Sequence, residues 1–215
     1  MLSRITCNSN ININQLKYLK EEFCILVDKK DHAIGKASKF DCHKIHVEES
    51  KDNCNGRGLP LHRAFSVFLF HKNNLLLQQR SHHKVTWPLK WTNSCCSHPL
   101  MQNEKEEDLE SAIMRKCKQE LGVEPSNLKF IGKIIYKAEQ DKWGEHELDH
   151  LFIGNLKSAN VPFNSEEIER IRWINRNDMQ SISKSSMTPW FSLIASKVNI
   201  FGMEPWNRTL DFTSE

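Results

Sequence analysis

The sequence predicts a single layered domain of the α/β or α+β class. The chain has 215 residues, the size of one large domain. Apolar, strand-like segments are mixed with two or three segments of helical periodicity, which is typical of layered folds. Hydrophobic residues make up 39% and charged residues 27% of the chain, as in an ordinary globular protein. This composition excludes disorder, coiled coils and collagen.

The N-terminal part begins with an Asn-rich stretch, so we expect residues 1–15 to be a flexible tail and residues 16–215 to form one domain. Apolar residues spaced three to four apart predict a short helix over residues 16–23. Residues 24–28 then read as a strand. The polar, Gly-containing segment at residues 48–58 predicts a loop.

Two strands in the centre of the chain are predicted to be buried. Residues 64–70 and 75–80 are rich in Phe, Val and Leu and are joined by a short polar turn. Near-continuous apolar strands are typical of positions covered on both faces of a sheet. We therefore place these two strands in the middle of the sheet.

The clearest helix is predicted over residues 104–121. It has an acidic first turn, basic residues toward its end and Gly122 as a C-terminal cap. One apolar stripe runs along it through Leu109, Ile113, Cys117 and Leu121. Glu120 lies at the edge of that stripe, so its carboxylate needs a partner.

The C-terminal half supplies the remaining elements. Strands are expected at residues 128–137, 148–156 and 168–174, followed by a short helix near Asn177 and a terminal helix from residue 188 toward 201.

Net charge and cysteine content limit which partners and which cellular compartment the sequence supports. Lys and Arg total 30 against 27 Asp and Glu, a net charge of +3, and no basic stripe suggests nucleic-acid binding. Apolar runs fall far short of the ~20 residues that cross a bilayer. Seven cysteines without a secretory signal indicate reduced thiols. We expect a cytoplasmic location, with the peroxisome as the alternative.

The segment from Cys95 to Pro99 contains the first group of reactive side chains. Cys96 and His98 have the same parity, so an extended segment points both to one face. A thiol beside an imidazole or a metal can serve as an acid, a base or a nucleophile. The alternative is a buried Cys pair with a hydrogen-bonded His in a turn. The adjacent cysteines lack the spacing of a zinc finger.

The second group lies between Trp143 and His150. Glu145 and Glu147 project from the same side of an extended segment, and His146 projects from the other. Combined with His98, the two carboxylates form a mixed site suited to Zn²⁺, Mn²⁺ or Mg²⁺. The alternative is that alternating glutamates mark the solvent face of an edge strand.

Upstream residues offer further ligands and an anion site. His43 and His62 are candidate third and fourth metal ligands. Lys39, Arg80 and Lys84 lie near these segments and are suited to an anionic group such as a phosphate. For each of them a solvated or structural role is the alternative.

Four segments, in this order, closely resemble type I isopentenyl-diphosphate isomerases of the eukaryotic branch. They are residues 61–70 (LHRAFSVFLF), 75–81 (LLLQQRS), 92–100 (TNSCCSHPL) and 143–147 (WGEHE). The resemblance runs from about Cys24 to Phe201. It implies a Nudix-like α/β/α sandwich with a mixed sheet and additional N-terminal elements. It also implies interconversion of isopentenyl and dimethylallyl diphosphate through a tertiary carbocation.

The same resemblance implies roles for individual residues. One Zn²⁺ or Mn²⁺ would be bound by His43, His62, His98, Glu145 and Glu147, and Glu120 would help to hold a Mg²⁺ that meets the substrate diphosphate. The substrate-binding positions would be Lys39, Arg80, Lys84 and Ser97. Cys96 and Glu147 would move the protons, Tyr136 would assist, and Trp190 would face the cation. Which of Cys96 and Glu147 donates the proton stays open.

Two other functions remain as alternatives. A Nudix-type diphosphate hydrolase needs several carboxylates on one helix, and here Lys116 and Gln119 replace two of the acids. A non-catalytic metal-binding domain is the other. The expected partner is the small diphosphate substrate, with no nucleic acid and no membrane span, and the expected state is a monomer.

Overall fold

The computed structural model describes residues 13–45, 58–202 and 204–213. Its helices are α1 (Ile13–Glu21), α2 (Lys39–His43), α3 (Leu109–Leu121), α4 (Arg176–Met179) and α5 (Pro189–Lys197). Its strands are β1 (Phe23–Val27), β2 (Ala33–Ser38), β3 (His62–His71), β4 (Asn74–Arg80), β5 (Trp91–Thr92), β6 (Cys95–Ser97), β7 (Met101–Gln102), β8 (Lys105–Glu106), β9 (Ser126–Gln140), β10 (Trp143–Asn155), β11 (Ile168–Ile174) and β12 (Thr209–Asp211). Two short 3₁₀ helices span Lys184–Ser186 and Ile200–Gly202.

The main sheet is mixed and lies between two helices. Its central path is β11-β4-β3-β10-β9-β12, in which β10 runs parallel to β3 and antiparallel to β9. Side chains alternate across β3: Phe65 and Val67 pack toward α3, and Phe68 packs toward α5. Each helix therefore covers one face of the sheet. This confirms the predicted α/β/α sandwich and the central, buried positions of the strands at 64–70 and 75–80.

The predicted helix at residues 104–121 is wrong at its beginning. The helix begins at Leu109, because Asp108 is its N-cap and its side chain accepts a hydrogen bond from the Ser111 N–H. The acidic residues before it belong to the β7–β8 hairpin, in which Asn103 and Glu104 adopt positive φ. Gly122, at φ 67°, caps the C-terminus as predicted.

The strand that carries the paired glutamates begins earlier than predicted. β10 starts at Trp143 instead of residue 148, and β9 spans 126–140 instead of 128–137. Since β10 is hydrogen-bonded to β3 on one side and β9 on the other, it is not an edge strand. Glu145 and Glu147 are 5% and 8% exposed, so the solvent-face alternative for them is wrong.

An N-terminal hairpin belongs to the same sheet and lies off its central path. The predicted strand at 24–28 corresponds to β1, which pairs with β2 along its length and with β3 at one position. The helix predicted at 16–23 corresponds to α1. Most of the predicted tail, residues 1–12, and all but the last residue of the predicted loop at 48–58 lie outside the described residues.

The C-terminal segment differs from the prediction in two ways. The terminal helix, expected over 188–201, spans only Pro189–Lys197, and β12 extends the sheet beyond β9. The predicted short helix near Asn177 corresponds to α4.

The described cysteines are free thiols. Within the described ranges, none of the helices combines the length and apolar character needed to cross a bilayer.

Candidate active site

The site forms where β3 and β4 separate. These strands pair only beside their turn, and the β5–β6 segment fills the gap by pairing with both. Asn93 donates from Nδ2 to the Val67 carbonyl of β3 (3.3 Å). Ser94 Oγ donates to the Leu76 carbonyl of β4 (2.6 Å) and accepts from the Leu69 N–H of β3 (2.8 Å). The two polar side chains thus replace missing strand hydrogen bonds and hold the following cysteines in place.

The adjacent cysteines point to opposite faces of the sheet. Cys95 is fully buried in the core that packs against α3, near Cys117, so the structural alternative is correct for Cys95. Cys96 faces a cavity on the other side, together with His98, as their parity predicts. Burial raises the pKa of the Cys96 thiol to about 12, although Arg80 acts to lower it. The thiol therefore carries its proton at neutral pH.

Five buried side chains form a compact group of nitrogen and oxygen ligands. They are His43 of α2, His62 of β3, His98 after β6, and Glu145 and Glu147 of β10, and one ligand atom from each lies within 4.8 Å of the others. His43 Nε2 is 2.7 Å from Glu145 Oε2, and His98 Nε2 is 2.7 Å from Glu147 Oε1. The parallel register sets Glu147 directly beside His62.

Hydrogen bonds orient imidazoles of the cluster and burial keeps His62 neutral, as metal binding requires. His62 Nδ1 donates to the Pro60 carbonyl (2.9 Å) and His43 Nδ1 to the Lys39 carbonyl (2.6 Å), which turns the Nε2 atoms toward the glutamates. His62 Nε2 is buried without a hydrogen-bond partner in the part of the chain that the structure describes. Burial and the neighbouring His43 lower the pKa of His62 to about 3, so this imidazole is neutral. A neutral nitrogen with no partner beside two carboxylates fits a divalent metal.

The two carboxylates of the cluster differ in their surroundings. Burial, followed by the negative charges of Glu145 and Asp149, raises the pKa of Glu147 well above its ordinary value. Tyr136 donates a hydrogen bond to Glu147 Oε2. Burial alone would raise the pKa of Glu145 as well, but His43 and His62 lower it below its ordinary value. Glu147 is thus the carboxylate of the pair that holds a proton more readily.

Cationic side chains form a second part of the cavity lining, here called the cationic wall: Lys39, Arg80 and Lys84. Lys39 contacts Glu22 (2.9 Å), Lys84 contacts Glu167, and Arg80 donates from Nε and Nη2 to the Thr86 carbonyl (3.0 and 2.9 Å). The Arg80 contacts are to a neutral carbonyl and therefore leave its positive charge available to an anion.

Glu120 has the partner that its position requires. Lys116, one turn earlier on α3, lies 3.0 Å from Glu120 Oε1, and both residues are buried. Burial would lower the pKa of Lys116, but Glu120 and Glu167 raise it, so the ammonium keeps its charge. An ammonium therefore stands where a Nudix hydrolase needs a further carboxylate, which disfavours the hydrolase alternative.

A buried aromatic side chain, Trp190, also lines the cavity, and the Arg80 guanidinium lies over its ring at 5.5 Å. Trp190 is buried and donates from Nε1 to Thr92 Oγ1 (3.0 Å). The Trp87 ring meets the Trp190 ring edge-on at a centroid distance of 5.4 Å, and the Tyr136 ring lies 6.3 Å from it. These contacts hold the indole in one orientation against the cavity.

One cavity collects nearly all the residues that the sequence singled out. The predicted residues that line it are Lys39, His43, Arg80, Lys84, Cys96, Ser97, His98, Glu120, Tyr136, Glu145, Glu147 and Trp190. His62 is fully buried behind this lining, within the His/Glu cluster. Five further lining residues did not follow from sequence reasoning: Tyr18, Leu19, Val85, Thr86 and Lys116. Only Lys116 carried a signal, its spacing of four residues from Glu120 on a helix.

Comparison with known proteins identifies the family. A model of the NUDIX domain matches residues 60–191. Isopentenyl-diphosphate Delta-isomerase I of Camptotheca acuminata is 42% identical over 201 residues, covering 84% of this chain and 82% of that protein. The chain belongs to the isopentenyl-diphosphate Delta-isomerase family. A second member, the chloroplastic isomerase II of Arabidopsis thaliana, is 39% identical over 223 residues, or 94% of this chain and 74% of that protein.

A solved structure supports the fold of the family member. The crystal structure of a Deinococcus radiodurans protein matches with a TM-score of 0.56 and 16% identity, covering 83% of this chain and 99% of that protein. At this identity the match concerns the fold alone.

The predicted cytoplasmic location, with its peroxisomal alternative, is contradicted by the family members. Two isomerases of Arabidopsis thaliana and one of Cannabis sativa are named chloroplastic. Composition and reduced cysteines cannot separate one reducing compartment from another, which is why the sequence argument was wrong.

Proposed function

We propose that this isomerase interconverts isopentenyl diphosphate and dimethylallyl diphosphate with Cys96 and Glu147 as its proton-transfer groups. The observation that carries the proposal is the shared cavity, which a protonated thiol and a buried carboxyl line together. The reaction adds a proton at one end of the allyl unit and removes one from the other end. A donor and an acceptor are therefore both required, and these are the two groups.

The cationic wall is the proposed binding site of the substrate diphosphate. Lys39, Arg80, Lys84 and Ser97 line it, and the structure supports adding Lys116. Four positive charges within one cavity suit an anion of several charges. We further propose that Glu120, beside this wall, helps to hold a Mg²⁺ that accompanies the diphosphate.

The metal cluster has a separate role in the proposal. His43, His62, His98, Glu145 and Glu147 would hold one Zn²⁺ or Mn²⁺, which suits their mixed nitrogen and oxygen donors. When bound, such an ion offsets the negative charge of the two carboxylates in a buried site. The Tyr136 hydroxyl donates to Glu147 Oε2, so it orients the carboxyl and favours its ionised form.

The buried aromatic residues of the cavity would protect the cation. Protonating an unactivated alkene creates a tertiary carbocation, which water would capture. The buried Trp190 helps to exclude water and offers a π face that attracts a desolvated cation by roughly 2 kcal/mol. This is small against the barrier, so correct placement of the proton donor and acceptor must supply most of the acceleration.

We also propose that residues 16–215 act as one domain and that the enzyme is a monomer. Every proposed catalytic and binding residue comes from this one chain, and the cavity needs no second copy. Sedimentation equilibrium tests the proposal, and a dimer at micromolar concentration would refute it.

The decisive test is incubation with isopentenyl diphosphate and Mg²⁺ in deuterated water. We expect NMR to show deuterated dimethylallyl diphosphate. Cys96→Ala and Glu147→Gln should each lower turnover by at least ~10²-fold, the contribution of a general acid or base, with an unchanged circular dichroism spectrum. Near wild-type turnover in either folded variant would refute the mechanism. Release of phosphate or pyrophosphate faster than isomerisation would favour the hydrolase alternative, and a chain without turnover would favour a non-catalytic domain.

A further inference from the structure

Glu167 is a buried carboxylate that has no place in the proton-transfer machinery. It precedes β11, is 3% exposed and contacts the Lys84 ammonium. It does not line the cavity, whereas Lys84 does. Glu167 therefore contacts a proposed diphosphate-binding residue from outside the cavity lining.

The backbone around Glu167 is held in place on two sides. Its carbonyl accepts from the Ser81 N–H (3.0 Å), and Ser81 in turn accepts from the Lys84 N–H (3.1 Å). On the other side, the Glu167 N–H donates to Asn164, whose own N–H donates to the Glu120 carbonyl (2.8 Å). The carboxylate is thus presented from a fixed segment that joins the Lys84 loop to the end of α3.

The geometry leaves Lys84 able to bind a second anion. A lysine ammonium has three N–H donors, and the contact to Glu167 engages one side of it. Glu120 Oε1 is 3.9 Å from the Lys84 nitrogen, which is beyond hydrogen-bond distance. Donors therefore remain for the cavity. A free lysine would lose much rotamer freedom on binding a phosphate, and the Glu167 contact removes that freedom beforehand.

We propose that Glu167 is a positioning residue for diphosphate binding, which holds the Lys84 ammonium at the cavity wall before the substrate arrives. The inference rests on the proposed function, in which Lys84 binds the diphosphate. It assigns Glu167 an effect on substrate affinity and none on proton transfer.

The test compares Glu167→Gln with a matched control two residues away. Glu169→Gln makes the same charge change on β11, but Glu169 is exposed and contacts His82 instead of Lys84. We expect Glu167→Gln to raise KM for isopentenyl diphosphate about five- to tenfold with kcat within about twofold, and Glu169→Gln to change neither. Calorimetric titration with inorganic pyrophosphate and Mg²⁺ should show the same loss of affinity.

A double-mutant cycle separates positioning from a general structural effect. In a Lys84→Met background, Glu167→Gln should cause no further loss of pyrophosphate affinity, because the residue that it positions is gone. An equal loss in both backgrounds, or no loss in either, would overturn the proposal. If Glu167→Gln does not fold, Glu167→Asp takes its place in the cycle with the same outcomes. Pyrophosphate binding needs no turnover, so failure of the isomerase activity remains distinguishable from failure of this inference.

Discussion

Asp31→Asn should destabilise the N-terminal hairpin that carries α2 and its proposed metal ligand His43. Asp31 lies in the β1–β2 turn, where Oδ1 accepts from Arg63 Nε (2.7 Å) and Oδ2 contacts His150 Nε2 (2.8 Å). The amide keeps one acceptor oxygen but turns an N–H₂ group toward one of the two donors. Asn also tolerates the positive φ of 75° at this position, so the backbone conformation is not the cause of the change.

The magnitude follows from the pKa of the carboxylate. Burial alone would raise it, but His150 and Arg63 lower the pKa of Asp31 from 3.8 to about 2. The difference between these two pKa values sets an upper bound of about 2 kcal/mol on the contribution of the carboxylate to the free energy of unfolding. Partial solvent screening reduces the expected loss to ~1–2 kcal/mol. For a domain of this size the Tm should fall by about 2–8 °C.

The pH dependence has a defined sign. Because the pKa in the folded state is below that in the unfolded state, the stabilisation is complete above about pH 5 and is lost as the pH falls toward 2. The difference between wild type and Asp31→Asn should therefore become smaller as the pH falls from about 5 toward 2.

Urea denaturation followed by tryptophan fluorescence measures this difference. Asp28→Asn is the control, because Asp28 lies in the same turn and its contacts with Lys30 and His32 are exposed. It should change the free energy of unfolding by less than about 0.5 kcal/mol. A loss below that value for Asp31→Asn at pH 7, or one that does not shrink between about pH 5 and pH 3, would refute the reasoning.

Three further predictions test other parts of the molecule. A chelator should lower the Tm of the protein and Zn²⁺ or Mn²⁺ should restore it, because an ion at a thousandfold its Kd stabilises the folded state by ~4 kcal/mol. The Tm of His62→Asn should respond far less to the same additions, and an equal response would contradict the proposed metal site. Leu89→Gly should stabilise by roughly 0.5 kcal/mol in urea denaturation, because Leu89 has φ 61° and is 49% exposed; destabilisation would argue against backbone strain there. Gly132→Ala should destabilise by about 1–3 kcal/mol, since a Cβ would lie 2.1 Å from the Trp206 ring, and a neutral melting curve would show that this ring moves aside freely.

Local signals predicted most elements but not where two of them begin. The apolar periodicity of α3 and the cap at Gly122 were readable because they depend on neighbours along one helix. The start of α3 was not, because Glu104, Glu106 and Asp108 all resemble an acidic first turn, and only the hydrogen bond to the Ser111 N–H shows which residue is the cap. β12 was missed because a three-residue strand has too few residues to show alternation.

The sequence by itself determined the chemistry that is available: a Cys and a His of one parity, two glutamates of one parity, and four motifs in the order of one family. Only the tertiary structure decided that these groups meet. The parallel register of β10 on β3 sets Glu147 beside His62. The hydrogen bonds of Asn93 and Ser94 to β3 and β4 hold the β5–β6 segment so that Cys96 faces the same cavity. The tertiary structure also brings Lys84 into contact with Glu167, 83 residues away in the chain. Such contacts depend on strand order and hydrogen-bond register across the sheet, and local periodicity carries no information about either.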